Sequence, residues 1–270
     1  MVAQLAQVAP SARVPEITWE PLPEEFRLPD DPVENLQQPL LAAALTDALG
    51  EAGLVRPEML IASNFGLVAT VDRRIVVKAP DWLYVPRVDP VDPGIVRRSY
   101  TPHRQGDAVA VVMEFLSDEE LGEYSVRPTF PYGKLYFYER ILAVPIYVIY
   151  DPYSFTLEVR QLQSGRYNLQ TANEQGRYWI PPLNLFLGVW HGERLGTTTH
   201  WLRWWDEAGN LLLWSAEKAA QERQRAEQEA QRAEQEAQRA EQERQRADAA
   251  EQELARLRSL LQNQPPTDTP

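Results

Sequence analysis

Two hydrophobic periods share this chain, and the one that holds over a stretch predicts its element. From Glu34 to Ala52, Leu36, Leu40, Leu41, Leu45 and Leu49 return every three to four residues, which predicts an amphipathic helix ended by Gly53. Met59 to Ala62, Gly66 to Val71, Arg74 to Lys78 and Trp82 to Val85 are short β-rich runs broken by turn residues, and they read as meandering strands. Ala108 to Ser117 is apolar with no polar alternation, the pattern of a central strand buried on both faces. Helical spacing returns at Leu135, Tyr138, Ile141 and Leu142 and stops before Pro145. Ile146 to Tyr150 predicts a buried strand, Phe155 to Leu162 and Tyr167 to Gln170 a hairpin around Ser164-Gly165, and Tyr178 to Ile180 and Leu185 to Leu187 short edges. The order is that of an α/β or α+β sheet flanked by helices.

Both ends depart from this pattern. Residues 1–33 contain Pro10, Pro15, Pro21, Pro23, Pro29 and Pro32 with little periodicity, and predict an extended arm. From Ala216 to Gln262 a seven-residue unit repeats, placing Ala226, Ala233, Ala240 and Ala247 in one column with Ala230 and Ala237 four residues after the first two. Arg225 and Glu229, Arg232 and Glu236, and Arg239 and Glu243 stand four apart, supporting a helix of roughly 70 Å at about 1.5 Å per residue. An alanine seam buries little, so the expected association is a weak homo-oligomer through a dimeric coiled coil, strengthened only at Leu254, Leu257 and Leu261. The chain thus divides into an arm (1–33), a folded domain (34–214), a heptad helix (215–262) and a frayed end (263–270). Trp201, Trp204, Trp205 and Trp214 gather around an expected hairpin at Asp206 to Asn210; capping the core where the heptad helix departs is the first reading, base stacking the second.

Composition narrows the chemistry. The chain has no cysteine, which removes disulfides, thiolate metal sites and cysteine nucleophiles and fits a cytoplasmic location. His103, His191 and His200 are its only histidines, and no two have metal-ligand spacing on one helix. No apolar run is long enough to cross a membrane. The formal charge of -12 argues against coating nucleic acid by general electrostatics, and residues 215–262, with eleven acidic and nine basic side chains, account for little of it. Any DNA contact is expected to be local or metal-bridged. Arg97, Arg98, His103 and Arg104 form one basic patch, read as a solvated loop or a phosphate contact.

Glu114 breaks the apolar strand. A carboxylate there needs a cation, hydrogen bonds or a shifted pKa, and a divalent metal is one such partner. Asp81 follows Pro80 at a strand junction, and Lys134 opens the following helix, where a cation opposes the helix dipole unless anions lie nearby. A structural account also fits: Asp81 as a turn cap, Lys134 solvated, and Glu114 paired to an arginine. Glu34, in the first turn of its helix, complements the dipole or serves as an accessory metal carboxylate. The acidic stretch from Ser117 to Tyr124 reads as a solvated loop.

Pro80-Asp81, Glu114-Phe115-Leu116-Ser117, Lys134 with Tyr138 four residues on, and Tyr147 through Asp151-Pro152 occur here in one order. In that order they resemble the Uma-two restriction endonuclease family of the PD-(D/E)xK nuclease superfamily, over about residues 35 to 190. The resemblance implies a restriction-endonuclease-like mixed sheet and a Mg²⁺-dependent endonuclease acting on DNA, with Mn²⁺ as an alternative ion. It implies Asp81, Glu114 and the Phe115 carbonyl as metal ligands, Lys134 as the catalytic cation and Tyr138 as its support. The superfamily lysine two residues after the glutamate is Leu116 here, so the charge has moved to Lys134 or cleavage has been lost. The alternative function is a degenerate nuclease-like domain displayed on a coiled coil as an interaction protein.

Overall fold

The computed structural model describes residues 36–71, 74–117 and 122–262. The expectations for residues 1–33, for Glu34 and for residues 263–270 lie outside the described residues.

Helix α1 (Gln37–Glu51) buries Leu41, Leu45, Ala48 and Leu49. Gly53 ends it as expected: at φ +69 it lets the Leu54 N–H reach back to the Leu49 carbonyl at 3.0 Å. The first four strands are β1 (Leu60–Ala62), β2 (Leu67–Val71), β3 (Arg74–Lys78) and β4 (Trp82–Val85). They do not form one meander. β2 and β3 pair only with each other as named strands, while β1 skips them to join β4 antiparallel. The reason lies in burial. Ile75 and Val77 remain 70% and 52% exposed while Val76 is buried, so the hairpin has one inward face, whereas every residue of β4 is covered.

The main sheet has the order β1-β4-β5-β6-β7-β8, completed by β5 (Val111–Phe115), β6 (Ile146–Asp151), β7 (Thr156–Gln163) and β8 (Arg166–Leu169). Only β5 and β6 run parallel, and the crossover between them carries α2 (Lys134–Tyr136), which continues as a π-helical turn from Phe137 to Ile141. The chain therefore has a mixed α/β fold with a long C-terminal helix. Alternation sorts the side chains cleanly. Trp82, Tyr84, Val111, Met113 and Phe115 face a core shared with α1, while Leu83, Val85, Val112 and Leu116 face one shared with α2 and the β2–β3 hairpin.

Leu185 to Leu187 proves to be the start of a ten-residue strand. β9 (Tyr178–Ile180), β10 (Leu185–Arg194) and β11 (Thr197–Trp205) form a second sheet, with Leu195 and Gly196 at positive φ in the hairpin turn. Gly188, His191 and Gly192 dilute the strand signal after Leu187, so the sequence reads as an edge too early. Trp201, Trp204 and Trp214 are buried against α1, where the Trp204 and Trp214 indoles donate to the Leu45 and Ala44 carbonyls. They cap the core as expected and are not open for base stacking.

Helix α3 (Ser215–Gln262) is fastened at its root. Arg203 is fully buried, lies 3.4 Å from the Trp214 ring centre and pairs with Glu217 at 2.7 Å. Lys218 adds an ion pair to Glu51 of α1 at 2.7 Å.

Candidate metal centre

β4 and β5 pair with Trp82 opposite Met113 and Tyr84 opposite Val111. Asp81 lies in the bend just before β4, one residue beyond the last paired position, and its charge acts on Glu114 of β5. Strand β4 begins only at Trp82, and side chains take over the edge of β5 that it leaves. The Asp81 Oδ2 accepts the Phe115 N–H at 2.6 Å, and the Gln38 Nε2 of α1 donates to the Phe115 carbonyl at 2.7 Å. On the other side the Leu116 N–H bonds the Tyr150 carbonyl of β6 at 2.8 Å. A cavity of about 280 Å³ opens beside Asp81, bounded by Gln38 and Thr46 of α1 and by Ile61 and Asn64.

Glu114 is 1% exposed, as the apolar run around it requires. Its partner is not an arginine. The Lys134 Nζ lies 3.0 Å from Oε2, and the Tyr138 hydroxyl donates to Oε1 at 2.8 Å. Tyr138 thus supports the glutamate more directly than the lysine. Burial pushes the Glu114 carboxyl up to about 8; the Lys134 ammonium opposes that rise, and the charge of Asp81 adds to it. Lys134 is itself held above the usual lysine value, because two carboxylates outweigh the effect of its burial. The Tyr138 phenol is raised well above its usual value by burial and by Glu114, so it remains a donor. The structural account of Lys134 as a solvated residue is excluded by these contacts.

Three participants escape the sequence reading. Glu123 is one. It belongs to the stretch expected to be a solvated loop, yet it is buried, with Oε1 3.0 Å from the Lys134 Nζ. Its carbonyl accepts the Tyr147 hydroxyl at 2.9 Å. Gln38 is the second, hidden among the polar positions of α1. Lys78 is the third: it follows Val76 on the inward face of β3, and burial together with the charge of Lys134 lowers its pKa, with Glu114 acting against the fall. The only signal for Lys78 in the sequence is strand alternation, two residues beyond a buried valine. The basic loop runs beside β2, where Gly66 and Val68 bond the backbone of Tyr100; Arg97 binds the Asp89 carbonyl and lies over the Tyr100 ring.

The donors are all oxygens, which suits a hard divalent cation. Asp81 is bonded to the Phe115 N–H and acts electrostatically on Glu114, although among the described residues no three acidic or histidine side chains close around one point. The sheet, the crossover helix and this acid pair can now be set against known families. The profile of the Uma2 family, "Putative restriction endonuclease", matches residues 17–196, two thirds of the chain. The chain belongs to the Uma2 family. The matched region takes in α1, the six-stranded sheet and all of the residues just described, and ends within the β10–β11 hairpin. A search of curated proteins finds no match. No helix among the described residues is long and apolar enough to cross a membrane.

Proposed function

We propose that this Uma2 protein is a divalent-metal-dependent endonuclease that hydrolyses phosphodiester bonds in DNA. The observation that carries the reading is the buried Glu114, bonded to Lys134 and Tyr138 and near enough to Asp81 to feel its charge. Asp81, Glu114 and the Phe115 carbonyl would hold Mg²⁺, with Mn²⁺ able to replace it. When bound, the ion supplies positive charge to the scissile phosphate and acidifies water. Lys134, fixed in charge and place, orients the attacking water or steadies negative charge growing on the phosphate oxygens. Tyr138 keeps Glu114 in one rotamer by its hydrogen bond. Gln38 and Asp81 fix the Phe115 backbone through its carbonyl and its N–H. Lys78 adds a second positive charge on the side of the centre facing the hairpin.

The purified chain is expected to nick or cut plasmid DNA with Mg²⁺ or Mn²⁺ and not with EDTA. Asp81→Asn and Lys134→Ala should each slow cleavage by about 10²-fold or more, and Asp81→Asn should do so with the melting temperature retained. Full activity in both variants would reject the centre. A wild-type chain that neither binds a divalent ion nor cuts would favour the degenerate scaffold.

The heptad helix is proposed to bring two copies weakly together through its alanine column. A truncation that tests this must keep Glu217 and Lys218, because both belong to the domain's packing. Removal of residues 223–270 is expected to lower the mass seen by light scattering while leaving divalent-ion binding intact.

A further inference from the structure

We infer that Glu123 is a positioning residue for Lys134, and that the segment from Glu123 to Gly133 is part of the reaction centre. The inference rests on the nuclease reading and deepens it.

The Lys134 Nζ lies between two carboxylates, 3.0 Å from Glu114 Oε2 and 3.0 Å from Glu123 Oε1. Glu114 alone would fix only one direction of a flexible four-carbon side chain. The second contact fixes another. Placing Glu123 there requires several local devices. Gly133 is the first: a Cβ on it would run into the Ser125 carbonyl, so only glycine lets this loop lie against the start of α2. The Ser125 carbonyl then accepts the Tyr136 N–H at 3.3 Å, and the Gly133 N–H bonds the Arg127 carbonyl at 3.1 Å. From β6 the Tyr147 hydroxyl holds the Glu123 carbonyl at 2.9 Å.

One atom in this arrangement is unfavourable for folding. Among the described residues Glu123 Oε2 is buried and has no hydrogen-bond partner, an arrangement that a purely structural ion pair would avoid. A buried acid with one oxygen bonded to the reaction-centre lysine and the other unpaired destabilises the fold in return for placing the lysine. A structural residue and a positioning residue therefore differ in sign on stability.

Glu123→Gln is the test, since glutamine keeps the shape and an oxygen acceptor for Lys134 while removing the charge. The expected result is a drop in kcat of at least tenfold with KM for plasmid DNA within twofold, Mn²⁺ binding unchanged, and a melting temperature equal to or above that of the wild type. Gly133→Ala, which displaces the loop with Glu123 intact, should lower kcat in the same way. In the metal-free protein the Lys134 ammonium should give a slowly exchanging ¹⁵N–H signal that Glu123→Ala abolishes. Wild-type turnover in Glu123→Gln, or a fall in its melting temperature large enough to explain lost activity, overturns the inference and leaves the nuclease reading standing. A wild-type chain that cuts nothing while its Lys134 signal depends on Glu123 overturns the nuclease reading and keeps the positional assignment.

Discussion

Glu114→Gln is expected to end divalent-dependent cleavage, with a loss on the order of 10³-fold, and to change how the metal-free protein's stability varies with pH. The second effect follows from burial. The Glu114 carboxyl is pushed from its ordinary 4.5 up to about 8, so between those values the native state holds a proton that the unfolded chain has released. Its contribution to stability is complete below pH 4.5 and is lost as pH rises through 8. Lys134, held above the usual lysine value, stays charged through this window and adds no slope of its own. Thermal melts of the wild type at pH 5, 7 and 9 without metal should therefore show a falling melting temperature, while the glutamine variant, with nothing to ionise, should flatten that fall. Added Mg²⁺ should restore the wild type at pH 9 and leave the variant unmoved. Equal slopes in the two proteins would mean that Glu114 is not the buried acid it is taken to be.

The largest expected effect on stability lies at the root of α3. Removing the carboxylate in Glu217→Ala leaves Arg203 fully buried without its counter-charge, which should cost about 3 kcal/mol. For a domain of this size that is roughly 6–12 °C in melting temperature. Arg203→Met fills similar volume between Trp190 and Trp214 without a charge and should come out nearly neutral. Combining Arg203→Met with Glu217→Ala should then recover most of what Glu217→Ala alone loses. Urea titrations of the three variants decide the matter; additive losses would place the stabilisation in separate contacts and not in the pair.

The elements that the sequence made legible were those whose burial follows a simple period. α1 and β5 could be read because one face, or both, are continuously apolar, and Glu114 stood out because it violated its surroundings. Lys134 and Tyr138 were legible as a pair at i, i+4 on one helix. What stayed hidden depends on approach through space. Glu123 looks like one acid among several in a polar loop, and the missing side chain of Gly133 together with the Tyr147 hydroxyl holds it inside. Gln38 has an unremarkable place near the start of α1, and its bond to Phe115 spans 77 positions of chain. The β2–β3 hairpin reads from sequence as part of a meander because propensity marks strands without naming their partners.

The ion pair and the tryptophan rings around Arg203 also govern how force passes along the molecule. A helix free to swivel at its base would only keep the domain near whatever holds its far end. This one is pinned at Trp214, Glu217 and Lys218 and runs on for 48 residues, a lever of about 72 Å at 1.5 Å per residue. A grip on the distal leucines would therefore dictate the direction in which the acid pair faces, turning a tether into an aiming device.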